Sequence, residues 1–368
     1  LGEVKGAPNI FLIGDVTEIS HQGYENLLRE AKTTQLFELA DELRAYRTVV
    51  IFPGSYDHAA VLELLPDEAV VTIDAAYDVA SREHLVSLGG GVTAVAISTS
   101  SHLFSALAAN SVDPLLAACR EANARYLLLK ENRGGSRLFD LKTNKVEQLF
   151  AVLGETVNSV GVGDAFTAVF GSMLEYTPID AAWRGAQVAT RYSQTTFPDD
   201  LKKNVSRDQR LSIAEVRRLG GVALPWHDRR RFNIYLAAPD FSYIEKPEID
   251  AAISALEYHN FSVRRPIIEN GEANRTENAV ELRAFYDSDV RLLDECDAVF
   301  AIPLGRDPGT LVEVGMAIAL GKPVVVYDPR HENNNTMVVC GSYRYSADLD
   351  ASLNGLFECV SSLLKASA

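Results

Sequence analysis

The sequence predicts an α/β protein made of two doubly wound domains, each with a mostly parallel sheet. Three observations carry this expectation. Short, near-continuous apolar runs alternate with helical stretches along both halves of the 368 residues, the pattern of parallel strands covered on both faces. A chain of that length suits two domains with a substantial core in each. The texture breaks once, after residue 200, in a charged stretch punctuated by Gly and Pro.

In the first half the expected strands are NIFLIG (9–14), TVVIFPG (48–54), AVVTID (69–74), VTAVAIS (92–98) and RYLLLK (125–130). Helices are expected over 24–46, 113–124, 162–176 and 179–197, where apolar residues return at helical spacing. The second half restarts with FNIYLAAPDF (232–241) and continues with a helix over 246–258, then SVRRPII (262–268) and a helix over 281–297. AVFAIP (298–303), a helix opening at Thr310, PVVVYD (323–328) and a last helix over 349–366 complete it. The expected boundaries are a first domain over 1–215, a linker over 216–231 and a second domain over 232–368.

Composition limits the function. An apolar content of 47% and a charged content of 23% are those of an ordinary globular chain. The formal net charge of −15, with no run of Lys or Arg, argues against a nucleic-acid polymer as partner. Cys119, Cys296, Cys340 and Cys359 lack metal-ligand spacing and suit a reducing, cytoplasmic setting. No apolar run is long enough to span a bilayer, and no membrane role is expected. Leu1 stands where a start methionine would, so an upstream start is one expectation.

Ligands of open parallel sheets sit outside the carboxyl ends of the strands. Tyr235, Asp240 and Phe241 fall there after the first strand of the second half, Asp307 and Glu313 around the next-to-last helix start, and Asn333, Asn334, Asn335 and Met337 after PVVVYD. Asp287, Asp289 and Asp297 lie on or after the preceding helix; Asp287 reads as solvated and Asp297 as a cap or turn residue. Thr310-x-x-Glu313 reads as a capping box. It also reads chemically: a carboxylate in a first helical turn is held ionised by the helix dipole and suits a nucleophile at an anomeric carbon. Asp307 or Asp289 is then the acid that donates to a departing base.

IYLAAPDFS followed by DSDVRLLDECDAVFAIPLGRDPGTLVEVGMAIALGKPVVVY resembles the nucleoside 2-deoxyribosyltransferase family across about residues 233–345. The resemblance implies a flavodoxin/Rossmann-like fold and Glu313 as the nucleophile that takes the deoxyribosyl group. It implies Asp289 at sugar or base, Asp307 at the base proton and Tyr235 orienting the nucleophile, with Asp240, Phe241 and Gly309 beside the substrate. NNTMVV is similar to the family's Asn-x-Met element, so Asn335 and Met337 are expected to reach a neighbouring subunit's site in a homo-oligomer. Deoxynucleosides and free nucleobases are the implied partners, and transfer needs no cofactor or metal. The family usually has glycine where Ala238 stands. Alternatives are an N-glycosidase acting on a deoxynucleoside or its 5′-phosphate, and a nucleoside sensor without catalysis.

VNSVGVGDAFTAVFGSML resembles the signature of ribokinase-like (PfkB) kinases, and the strand order over about residues 45–200 follows theirs. By that resemblance Gly161 and Gly163 form an anion hole and Asp164 is the base, with ATP and Mg required only for an active kinase. Asn158-Ser159 replaces the usual Asp-Thr, KENRGG replaces a Thr-x-Gly-x-x-Gly turn, and the sugar-binding lobe has no clear counterpart. The expectation is a truncated or degenerate kinase domain that keeps the fold, with a bifunctional enzyme as the alternative.

Overall fold

The runs VVTID, AVAIS and YLLLK lie side by side as parallel strands, each largely apolar and buried on both faces. The computed structural model describes residues 2–4, 7–12, 36–52, 57–76, 79–273 and 278–367, and the chain divides into two compact units, Leu1–Ala223 and Leu224–Ala368. In the first unit β3 (Thr48–Ile51), β4 (Val70–Asp74), β5 (Ala94–Ser98) and β6 (Tyr126–Lys130) are parallel, while β7 (Ser136–Asp140) and β8 (Lys145–Leu149) continue the sheet antiparallel. Residues on alternate faces of the central strands, Ala94 and Leu128 on one and Val95, Leu127 and Leu129 on the other, are all fully buried, so both faces are covered.

One cover is the helix pair α1 (Val162–Met173) and α2 (Pro178–Ser193), whose Phe166, Phe170 and Trp183 pack on Ala94, Ala96 and Leu128. The two helices meet at Gly185, where a Cβ would lie 2.6 Å from the Phe166 ring and 2.9 Å from its carbonyl oxygen. The β7–β8 hairpin was not expected from the sequence. Its turn is built by Asp140, whose carboxylate accepts from the amides of Lys142 and Thr143, and by Asn144 at φ 58°.

NIFLIG departs from expectation. Its described part belongs to β2 (Ala7–Leu12), which pairs antiparallel with β1 (Gly2–Val4) in a separate two-stranded sheet. Of the helix expected over 24–46, only Leu36–Ala45 falls within the described residues.

The second unit is a five-stranded, all-parallel sheet. Its strands are β9 (Asn233–Ala237), β10 (Ser262–Arg264), β11 (Ala298–Ala301), β12 (Val324–Tyr327) and β13 (Arg344–Ser346), in the order β10-β9-β11-β12-β13. This is the flavodoxin-like order, with its topological switch point between β9 and β11. The longer helices are α3 (Pro247–Tyr258), α4 (Ala279–Glu295), α5 (Pro308–Ala319) and α7 (Leu349–Ala366), with the short α6 (Thr336–Gly341) after β12.

The stretch read as a linker, 216–231, divides between the units. Ile213–Leu219 is a helix with a Ser212/Glu215 capping box and Val216 in the first core. Fully buried Arg229 donates to the carbonyls of Leu224 and His259 in the second unit. Among the described residues no helix is long and apolar enough to cross a membrane.

The α1–α2 crossing gives a test of the first core. Gly185→Ala is expected to lower the unfolding free energy by about 1–3 kcal/mol, the usual cost of overpacking. Urea unfolding followed by circular dichroism measures it, and an unchanged midpoint would show that the helices separate without cost.

Candidate active site

The site of the second unit begins with how α5 starts. After β11 the chain makes a tight turn through Gly305 (φ 62°) and Arg306 (φ 56°), and Pro308 occupies the first helical position. Asp307 is the cap: its Oδ2 accepts from the Thr310 amide at 2.7 Å and from the Thr310 hydroxyl at 2.9 Å. The expected Thr310/Glu313 capping box is therefore absent, and the helix cap lies three residues earlier than expected. Asp307 does the capping because Pro308 needs no amide partner, which leaves Thr310 buried within the first turn.

That shift places Glu313 in the second turn, facing the carboxyl end of β9. There Tyr235, fully buried, donates its hydroxyl to Glu313 Oε1 at 2.6 Å. Glu313 and Tyr235 open onto a cavity of about 360 Å³, with Asp289, Tyr286, Gly309 and Val312 in its wall. Two helix faces build that wall. α4 contributes Tyr286, Asp289, Val290 and Leu293, and α5 contributes Gly309, Val312, Glu313 and Met316, each set at the i, i+3, i+4, i+7 spacing of one helical face. None of the ten described lining residues is Lys, Arg or His.

Burial in this uncompensated setting pushes the Glu313 carboxyl up to about 7. The Tyr235 hydrogen bond opposes the rise, and the negative charges of Asp289 and Asp307 add to it. The expectation that the helix dipole holds Glu313 ionised is thus corrected, because the residue sits beyond the first turn and desolvation dominates. Asp289 is also raised, by burial, against the hydrogen bond that Asn270 Nδ2 gives its Oδ1 at 2.8 Å. Burial and the adjacent Glu313 carboxylate raise the Tyr235 phenol well above its ordinary value, so it stays a donor.

The other expected residues lie elsewhere in the unit. Asp307 is committed to the helix cap and is not in the cavity wall. Asp240 is buried and ion-paired to Lys246 and, at 2.7 Å, to Arg265. Phe241 stacks on Tyr243 with ring centroids 5.3 Å apart. Asn335 caps α6 by accepting from the Met337 amide at 2.9 Å, and Met337 is 79% exposed. Asp297 takes the Asn233 amide at 2.7 Å, the turn role expected of it, and Asp287 pairs on the surface with Arg283. The sequence reading missed Tyr286, Val312, Met316 and Asn270. The first three carried a signal, the helical spacing to Asp289 and Glu313; Asn270 sits in a loop without one.

In the first unit, Gly161 (φ 80°) opens α1 without a side-chain cap, and Asp164 falls in its first turn. Such a turn suits an anion. Beneath it lies Lys130, whose ammonium donates to Asp74 at 2.6 Å, to the Thr167 hydroxyl at 2.9 Å and to the Gly163 carbonyl at 3.2 Å. In the KENRGG turn, buried Glu131 forms a bidentate pair with Arg137 at 2.8 Å. The charged groups Lys130 and Glu131 near the glycine turn are already paired within the protein.

Residues 234–348 match the model of the family described as nucleoside 2-deoxyribosyltransferase. Among solved structures, a 2-deoxyribosyltransferase from Bacillus psychrosaccharolyticus is similar at 24% identity, over 32% of this chain and 88% of that one, with a TM-score of 0.28. A ribokinase from Giardia lamblia is similar at 13% identity over 47% of this chain, with a TM-score of 0.38. A ribokinase from Arabidopsis thaliana, solved with ribose and ATP, is similar at 19% identity over 48% of this chain, with a TM-score of 0.36. The chain spans 63% and 59% of those two kinases' own lengths. No curated protein matches the chain.

The raised Glu313 carboxyl predicts a pH-dependent stability. Between the ordinary 4.5 and about 7 the folded state holds a proton that the unfolded chain has released, so stability falls as pH rises through that window and levels above it. Glu313→Gln removes this liability and is expected to melt higher than the wild type at about pH 8 and nearly equal to it at about pH 4. Differential scanning calorimetry at the two pH values measures it; a variant less stable at both would mean that the carboxyl is not destabilising.

Proposed function

We propose that the second unit transfers 2-deoxyribose between nucleobases through a covalent glycosyl-enzyme on Glu313. The observation that carries this reading is the Tyr235–Glu313 hydrogen bond inside a cavity that also holds Asp289. Tyr235 fixes Oε1, which leaves Oε2 to attack C1′. The C1′–N bond breaks as the C1′–O bond forms, and the electron pair leaves with the base. Asp289, whose raised carboxyl keeps a proton more readily than an ordinary aspartate, delivers it to the departing base. A second base then attacks C1′, its proton passes back to Asp289, and Glu313 is released. Two inversions give net retention and ping-pong kinetics.

The cavity also bears on the donor. Among the described residues its ionisable groups are acids and phenols and none is a cation, so a 5′-phosphate would meet repulsion from these groups. This favours deoxynucleosides over deoxynucleotides, in a cytoplasmic salvage role. The exposed Met337 beside the Asn335 cap is consistent with a second copy completing the site. The first unit supports a second reading, a bifunctional chain that also phosphorylates a sugar or nucleoside with ATP and Mg. The uncapped Gly161 turn favours it.

The test is deoxyinosine or thymidine mixed with a different free base, without ATP, both nucleosides being followed by chromatography. A new deoxynucleoside is expected from the wild type, reduced about 10³-fold or more in Glu313→Ala. The 5′-monophosphate donor is expected to give a kcat/KM lower by about 100-fold. Free base without a new nucleoside would make the unit a hydrolase, and no turnover with any donor would sink the glycosyl reading.

A further inference from the structure

The turn that aims α5 is held in an unfavourable backbone conformation. Gly305 accepts φ 62° freely, but Arg306 at φ 56° is a non-glycine residue in the left-handed region. Three hydrogen bonds secure it, and all come from two consecutive residues of the loop after β12. Glu332 Oε2 accepts from the Gly305 amide at 2.7 Å, the Glu332 carbonyl accepts from Arg306 Nε at 2.7 Å, and Asn333 Nδ2 donates to the Pro303 carbonyl at 2.6 Å. Glu332 and Asn333 are in turn held by one carboxylate. Asp328 Oδ1 accepts from the Glu332 amide at 3.1 Å, and Oδ2 accepts from the Asn333 amide at 2.8 Å and from the Tyr345 hydroxyl on β13. Asp328 is 1% exposed and does not line the cavity.

We propose that Asp328 is a positioning residue for Glu313, acting through Glu332 and Asn333 on the turn that sets the direction of α5. The inference rests on the transferase reading for its kinetic consequence, but the contact chain from Asp328 to Pro303, Gly305 and Arg306 stands without it. A carboxylate suits the task because it accepts from four donors at once, the Asn333 side-chain amide at 3.4 Å being the fourth, whereas an asparagine would turn an N–H₂ toward one or more of them. Burial pushes the Asp328 carboxyl up, but those hydrogen bonds outweigh it and hold the group below its ordinary range, so the clamp stays charged where the nucleophile titrates.

The experiment compares wild type, Asp328→Asn, Asn333→Ala and Glu332→Gln in two measurements, steady-state kinetics and amide hydrogen exchange. Asn333→Ala covers the case in which the Asp328 variant fails to fold, and Glu332→Gln keeps an acceptor for Gly305. Asp328→Asn and Asn333→Ala are expected to lower kcat by about 10- to 100-fold, the cost of a misplaced reacting group, with KM for the donor within about twofold. Exchange should quicken over residues 305–311 and stay unchanged in β9 and β11, while Glu332→Gln behaves like the wild type. Unchanged exchange at the turn, or exchange that rises throughout the unit, would overturn the proposal. If the wild type itself turns over no donor, the transferase reading fails, and the exchange pattern alone still decides whether Asp328 holds the turn.

Discussion

The second unit depends on how one desolvated carboxylate, Glu313, is left without a cationic partner among the described residues. Among the described residues, Asp74, Glu131, Asp240 and Asp328 are carboxylates buried just at or beyond the carboxyl ends of strands, Glu313 is a half-buried one on the facing helix, and they are handled differently. Asp74 has Lys130 at 2.6 Å, and Asp240 has Lys246 and Arg265. Asp328 has two backbone amides, the Asn333 side-chain amide and a phenol. Glu313 has a single phenol on one oxygen and two acids nearby. Paired groups are stable and inert; a buried, unneutralised one stores unfavourable free energy that a developing positive charge relieves. An oxocarbenium-like centre is such a charge. The feature that weakens the fold is therefore the one that the proposed glycosyl transfer would use.

Most of the fold was legible because its strands are short apolar runs with few rivals. VVTID, AVAIS, YLLLK, NIYLA, AVFA and VVVY all became strands within a few residues of the expected limits, and the last helix, Leu349–Ala366, has the expected limits. What escaped was structure whose cause is not periodic. The β7–β8 hairpin is half polar and turns on Asp140 and Asn144. β13 is three residues long, with Arg344 exposed and its neighbours half-buried. The linker vanished because charged residues there are used internally, Arg229 above all, and a buried arginine looks from sequence like a solvated one.

The site was legible at a coarser level. Glu313, Tyr235, Asp289 and Gly309 converge on one cavity, as residues at strand ends and helix faces must when the sheet switches direction between β9 and β11. The division of labour among the acids was not legible, because Asp307 and Thr310 both fit a helix start and only Pro308 decides between them. Once Pro308 takes the first helical position, Asp307 is the cap, and Glu313 passes into the second turn. Its ionisation is then governed by desolvation rather than by the helix dipole. A three-residue shift in one helix cap, from Thr310 to Asp307, thus changes the physical state of Glu313, and spacing alone does not report it.

The first unit obeys the same topological rule with the opposite electrostatic outcome. Its polar groups also gather at strand ends, and Gly161 gives α1 an open start. Yet Lys130, the cation nearest the turn, is already matched by Asp74 and Thr167, and Glu131 by Arg137. An anion arriving at the Gly161 turn would meet helix amides and little net positive charge, since breaking a buried pair to free the ammonium would leave Asp74 uncompensated. Binding by amides alone is sufficient to hold a phosphate group. Phosphoryl transfer asks for more, namely charge stabilisation that grows as the transferred group separates. The two units therefore differ less in motif than in neutralisation: the first has paired the charges around its turn, and the second has kept its acids unpaired where a substrate would sit.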